Sequence, residues 1–430
     1  MHKLLAAEVA AITSYFRRVV MMTAGGTPEY PDLAEGETIS VPSSPALLQE
    51  LSNSPELTAV VLNGVLNCEL DIDALLHGIH SRISRRGRVI AVMYSPYLRW
   101  ILRFVTTDRI FSKKEPYTFI TATDLRNMAR MAGFEVTRVR TPVVIPWRMF
   151  GVGTILNRLL AAIPFVRRLS LAWVVVLRPI KAETTRPSLS IIIPARNERG
   201  NIENALTRLP DFGSSVEIIF VEGHSIDGTW EEIQRVASLY GSKYSLVCLR
   251  QRGVGKCDAV RPGASQASGD LIAILDADLT MPPEMLIRFY DAWRLGYADF
   301  INGNRLMYPM EHGAMRFLNR LGNVFFAKAL SYVLDTRIGD SLCGTKLFSR
   351  DDYYRFVTWR QRFGDFDPFG DFELLFPACS LGLGVVDIPI QYRDRMYGST
   401  KIHRFYHGLL LLRMTIFGFF RLRCGRSPRP

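Results

Sequence analysis

Two aspartates separated by one alanine, Asp276-Ala277-Asp278, stand directly after the apolar run LIAIL at 271–275. Carboxylates at the end of a buried strand need a counter-charge, because an unpaired charge beside apolar surroundings is costly. A divalent cation supplies one. Magnesium takes one or two protein carboxylates and completes its shell with water and phosphate oxygens. When bound, such a cation neutralises charge on a departing diphosphate. Asp276 and Asp278 are therefore candidate ligands for Mg2+ or Mn2+. The plainer alternative is a helix cap, since Thr280 and Pro282-Pro283 announce a helix.

Three further stretches could serve the same chemistry. Glu222 closes the apolar run ending at 221, and a carboxylate there can accept hydrogen bonds from a base or a ribose. In the following GHSIDGT, Ser225 and Asp227 also read as turn and cap residues. In RQRGVGKCDAV, Gly253 and Gly255 permit close backbone approach, while Arg250, Arg252 and Lys256 suit a diphosphate. The Walker spacing GxxxxGK[ST] is absent.

The elements that must position these residues are short strands alternating with helices. In the second half, 189–193, 216–221 and 271–275 read as buried parallel strands, with helices from 201 and over 258–268. Ligands of such sheets bind at the carboxyl ends of the strands, where all these polar signals lie. In the first half, strands are expected at 18–22, 38–41, 58–62, 88–93, 135–145 and 171–177. Helices are expected at 4–16, 73–83, 123–132 and near 156–160. Both halves are thus α/β. The polar stretch KAETTRP at 181–187 reads as the linker between them.

The ordered motifs of the second half resemble the family 2 glycosyltransferases, particularly the dolichyl-phosphate mannose synthase-like branch. The resemblance covers 188–403 and implies a GT-A fold that binds a UDP- or GDP-sugar. It implies that Pro194, Ala195, Arg196 and Glu198 contact the nucleotide, with Glu222, Lys256 and Asp276 completing that site. The usual VDDGSTDGT is VEGHSIDGT here, so Gly223 stands where a second aspartate is usual, and the usual GKG is GKC at Cys257. The resemblance further implies that Arg305 reaches a phosphate and that Asp371 and Glu373 match the acidic motif on the acceptor side. Asp371 and Asp278 are the implied catalytic carboxylates. YRDRMYGSTKI matches R-x-x-G-x-S-K, which gives Arg395, Ser399 and Lys401 as phosphate or acceptor ligands. The implied reaction is inverting hexosyl transfer, with a polyprenyl phosphate or another envelope-glycan precursor as acceptor.

Residues 1–180 resemble the later part of a class I methyltransferase, through VVLNGVLNCELDIDALLHGIHSRISRRGRVIAV and ATDLRNMARMAGFEV. The portion expected to hold S-adenosylmethionine is poorly represented. Only TAGG offers a glycine-rich turn, and the second strand runs into Pro42 and Ser43 without an acidic end. A partial Rossmann-like, degenerate domain is the expectation, and an active methyltransferase the alternative.

Composition narrows the remaining classes. Hydrophobic residues make up 48% and charged ones 22%, which excludes overall disorder. The net charge of +12 points to an anionic partner. Clustered carboxylates and the lack of a basic, aromatic-studded recognition motif argue against nucleic acid as that partner. From 395 onward there are eight Lys or Arg and no Asp or Glu. Within 404–430, the run FYHGLLLLRMTIFGFF is flanked by arginines, suited either to lying on an anionic membrane surface through 404–423 or to packing on the catalytic domain. Six scattered cysteines and the absence of a leader-like start lead to the expectation of a cytoplasmic protein, peripheral at the cytoplasmic face of the membrane.

Overall fold

Short apolar runs bounded by turn residues form the strands of this molecule. The structure is a computed structural model. It describes all residues except 1, 25–29, 31–32, 34–35, 53–56, 96–117, 119, 146–151, 161, 164, 310–316, 365–366, 368–369, 396, 398–403 and 425–430. Two units result. One comprises Met1–Lys181 with Cys379–Leu383 and Gly418–Pro430, the other Ala182–Ala378 with Gly384–Phe417.

The first unit holds β1 (Arg18–Thr23), β2 (Glu37–Val41), β3 (Thr58–Asn63), β4 (Arg88–Tyr94), β5 (Phe134–Val143) and β6 (Ala172–Pro179), in the order β2-β1-β3-β4-β6-β5. Strands β1 to β4 are parallel, and β6 runs against β4 and β5. Both faces are covered, as nearly continuous apolar strands require. Val20, Val60 and Val89 pack with Leu47, Leu76 and Leu125 on one face. Val19, Val61 and Ile90 pack with Leu5, Val9 and Ile12 on the other. Buried arginines tie the later segment into this unit: Arg88 Nε donates to the Gly382 carbonyl at 2.8 Å and Arg138 to that of Ser380 at 3.0 Å. Of the expected TAGG turn, Gly25 and Gly26 lie outside the described residues.

The second unit holds β7 (Leu189–Ala195), β8 (Val216–Glu222), β9 (Ser245–Arg250), β10 (Leu271–Ile274), β11 (Phe300–Asn304), β12 (Lys346–Ser349) and β13 (Val385–Pro389). Their order is β13-β11-β12-β10-β7-β8-β9. Only β12 is reversed: it pairs antiparallel with both β10 and β11. The carboxyl ends of β7, β8, β10, β11 and β13 therefore share one edge of the sheet. Ile191, Ile193, Ile218, Phe220, Ala273 and Leu275 build the core beneath that edge.

The three strands read from sequence in this half are all present; β9, β12 and β13 were not foreseen. The helix Arg404–Gly418 continues into a wider π-type turn, Phe419–Cys424. Leu411 and Met414 are buried, while Leu409, Leu412, Ile416 and Phe420 are exposed. No helix among the described residues is long and apolar enough to cross a membrane.

Candidate functional site

The site forms where loops leave β7, β8 and β10. Each of these loops contains a non-glycine residue in the left-handed region: Asn197 at φ 55°, His224 at 58° and Leu279 at 50°. Such residues persist only where surrounding bonds over-determine them, and they gather at functional loops. The bonds are present. Asn197 N–H donates to Ser225 Oγ at 2.9 Å, while its Oδ1 accepts from Ile226 N–H at 2.9 Å. Glu198 N–H donates to Thr229 Oγ1 at 3.0 Å, and Glu198 Oε2 accepts from Asn201 at 2.7 Å.

Glu222 is 5% exposed, and its carboxylate accepts the Ser225 N–H. Beside it, a Cβ on Gly223 would lie 2.8 Å from Gln251 Oε1. Gln251 is held there by its own N–H, bonded to the Glu222 carbonyl at 2.8 Å, and by a 2.7 Å bond from Nε2 to the Gly255 carbonyl. The Gln251 amide thus occupies the space that a side chain at 223 would enter. Cys257 has a comparable partner: a Cβ on Gly370, at φ 83°, would lie 3.0 Å from Cys257 Cα. A side chain at 370 would thus press on the Cys257 backbone and Cβ.

Asp276 is paired with Lys256. Burial works to raise the Asp276 pKa, but Lys256, followed by Lys346 and Arg305, outweighs it and holds the carboxyl below its usual value. For Lys256, burial favours the neutral amine, yet Asp276 and then Asp371 keep its pKa above normal. Lys346 Nζ reaches Asp371 Oδ1 at 2.5 Å and also bonds the Cys343 carbonyl. Lys346 is fully buried and Asp371 8% exposed. Two carboxylates and two lysines therefore alternate across the ends of β10 and β12 and the loop before Phe372.

Gly344 lies against this network. A Cβ there would overlap both Lys256 Nζ and Asp276 Oδ2, so a side chain at 344 would have to displace that pair. Sequence reading did not single out Lys346 or Gly344. The available signal was a lysine at the head of an otherwise apolar strand, in CGTKLF.

Asp278 plays two parts. Its Oδ1 accepts from Thr280 Oγ1 at 2.9 Å and from Thr280 N–H at 3.2 Å, which is the cap-like arrangement. Its Oδ2 accepts from Arg395 at 2.6 Å. Arg395 also stands 3.7 Å from Glu198, so it bridges the β7 and β10 loops.

The remaining expected residues are placed as follows. Pro194 and Ala195 end β7, and Arg196 is exposed beyond it. Arg305 grips Asp340 with two nitrogens, at 2.6 and 2.8 Å, and sits over the Tyr392 ring at 5.4 Å. Glu373 is an ion-pair hub, accepting from Arg261 at 2.7 Å and Arg360 at 3.1 Å. Asp367 caps the helix Phe372–Ser380 through the Phe372 N–H at 2.7 Å. Ser399 and Lys401 lie outside the described residues.

Among the described residues no group of three or more His, Cys, Asp or Glu converges as a closed metal site. The donor set fits a different kind of centre. Two hard carboxylates at one strand end, each already drawing a cationic side chain, suit an ion that shares its shell with substrate phosphates.

An α/β sheet with its charged groups collected at the carboxyl ends of parallel strands is the architecture of a ligand-binding α/β enzyme domain. Residues 190–356 match the family described as Glycosyl transferase family 2, and this segment is a domain of that family.

The chain is 38% identical over 119 residues to a dolichol-phosphate mannosyltransferase from Pyrococcus furiosus, covering 27% of this chain and 33% of that protein. It thus spans about a third of that relative's length. A dolichyl-phosphate hexose transferase from Haloferax volcanii is 26% identical over 229 residues, 53% of this chain and 91% of that protein. Among solved structures, glucosyl-3-phosphoglycerate synthase from Mycobacterium tuberculosis, in complex with Mn2+, UDP and glucosyl-3-phosphoglycerate, aligns at 17% identity with a TM-score of 0.39. That alignment covers 56% of this chain and 81% of that one.

Proposed function

We propose that the second unit is a GT-A-type, inverting hexosyltransferase that moves a sugar from a UDP- or GDP-sugar to a phosphate-bearing acceptor, a polyprenyl phosphate being the favoured class. The observation that carries this reading is the meeting of Asp276 and Asp278 with Lys256 and Arg395 on the edge that also presents Glu198 and Glu222. Carboxylates and cations set side by side suit a diphosphate that arrives with its own metal ion.

Asp276 and Asp278 would hold Mg2+ or Mn2+, which supplies charge neutralisation to the departing diphosphate when bound. Glu198 and Glu222 recognise the nucleoside, with Pro194, Ala195 and Arg196 along its edge. Lys256, Arg305, Arg395 and Lys401 serve the phosphates, and Ser399 the acceptor side. In the reaction, an acceptor oxygen forms a bond to the anomeric carbon as the bond from that carbon to the diphosphate oxygen breaks. The nucleoside diphosphate leaves with the electron pair. An ionised phosphate acceptor has no proton to lose, so Asp371, fixed by Lys346, orients the acceptor. A hydroxyl acceptor would instead give its proton to Asp371.

The exposed residues Leu409, Leu412 and Ile416, with Arg413 alongside, support a peripheral contact with an anionic membrane. The test is turnover of Asp278→Ala with a panel of nucleotide sugars and membrane lipid extract. Transfer should fall at least about a hundred-fold while thermal unfolding stays near that of the wild type. Substantial metal-dependent transfer by this variant would refute the reading.

A further inference from the structure

A cavity of about 500 Å³ opens beyond the carboxylate loop, lined by Arg288, Tyr308, Pro309, Gln391, Tyr392 and Arg393. It lies past the carboxyl ends of β11 and β13, the same edge that carries Asp276 and Asp278. Its volume falls in the range of small-molecule sites.

Two arginines line this space, and among the described residues neither Arg288 nor Arg393 belongs to an ion pair. The nearby carboxylate that feels Arg393, Glu284, is already taken by Arg208 in a two-pronged pair at 2.8 and 2.9 Å. The cationic charge of the cavity is therefore available to a ligand.

The cavity is also coupled to the reacting centre. Arg393 N–H donates to the Thr280 carbonyl at 2.9 Å, and Thr280 Oγ1 donates to Asp278 at 2.9 Å. Tyr392, which also lines the cavity, carries Arg305 on its ring. Paired arginines match phosphate geometry, and tyrosine faces accept the apolar or sugar portion of a ligand.

We propose that this cavity is an anion subsite that receives the phosphate-bearing head group of the acceptor. The acceptor assignment rests on the transferase reading above; the anion site itself does not. The experiment is calorimetric titration of the full chain, without donor or metal, using decyl phosphate, glycerol 3-phosphate and uncharged decanol. Decyl phosphate should bind with one-to-one stoichiometry, and the double variant Arg288→Gln/Arg393→Gln should bind it about tenfold or more weakly. Decanol should not bind.

Equal loss of both phosphates in the variant identifies the phosphate alone as the ligand chemistry. Binding confined to decyl phosphate identifies a lipid-linked source. Arg288→Gln alone, at an exposed helix position, provides the same readout if the double variant does not fold. UDP or GDP with Mn2+ should bind wild type and double variant alike, whereas Asp278→Asn should weaken that nucleotide binding and leave decyl phosphate untouched. Should decyl phosphate bind while no nucleotide does, the cavity stands and the transferase reading falls. Failure of both phosphates to bind wild type, or equal affinity in wild type and double variant, overturns the subsite.

Discussion

The two sheets of this chain are built alike and finished differently. Each is mainly parallel, each contains one strand running against its neighbours, and each is buried beneath helices. In the first unit the polar groups at the strand ends bond to the chain itself. Asn63 Oδ1 accepts from the Tyr30 hydroxyl at 3.0 Å, Asn67 Oδ1 from the Tyr94 N–H at 2.9 Å, and Asn67 Nδ2 donates to the Thr118 carbonyl at 2.9 Å. Burial, the leading cause, lifts the pKa of both tyrosines well above the ordinary value, so these groups stay neutral. In the second unit the corresponding edge is charged, with Lys256, Asp276, Asp278, Asp371 and Arg395 gathered there. Architecture is shared, and the chemistry lives in what the strand ends carry.

The harshest way to break this contrast is to remove a buried charge. Lys346→Met should cost about 3–5 kcal/mol, because it leaves Asp371 buried without its cation. Urea unfolding measures this, and a loss below about 1 kcal/mol would mean that the pair is structurally idle. Gly344→Ala comes next. Its methyl group must displace Lys256 or Asp276, with an expected cost of about 1–3 kcal/mol and weakened binding of UDP or GDP with Mn2+ by calorimetry. Unchanged nucleotide affinity in this variant would separate the glycine from the site.

Acid provides a milder probe. Burial alone would raise the Asp340 pKa, but the Arg305 pair outweighs it and the net shift is downward. A depressed carboxyl contributes stability above its unfolded pKa, about 3.9, and that contribution disappears as pH falls through the folded value. Asp340→Asn should therefore flatten the stability profile below about pH 4; an unaltered acid limb in that variant would remove the pair from the account.

The smallest effect belongs to the first unit. Asn63→Ala should cost about 1 kcal/mol through the lost Tyr30 bond and leave nucleotide binding untouched. Added S-adenosylmethionine should not raise the melting temperature, and a clear rise would show that these strand ends also hold a ligand.

How much of this was legible in sequence depended on how far each signal reaches along the chain. Runs such as LSIIIPA and LIAIL declare their strands because buried parallel strands are apolar throughout. Asp276 and Asp278 were legible because they follow such a run directly. The half-buried edge strand SLVCLR and the four-residue KLFS carry too little pattern to separate them from loop. Lys346 was missed for the same reason: its meaning comes from Asp371, 25 positions later, and no local periodicity encodes that. The close approaches of Gln251 to Gly223 and of Gly370 to Cys257 likewise emerge only from packing.

Strand β12 has a consequence out of proportion to its four residues. Deleted from the sheet, it leaves β7 to β10 as one ribbon and β11 with β13 as another, with no strand pairing between them among the described residues. It is also synthesised after both strands it pairs with, β10 and β11. A growing polypeptide thus carries most of its ligand groups on two unconnected pieces until this late wedge arrives, and the act that closes the sheet is the same one that brings the second lysine to the carboxylates.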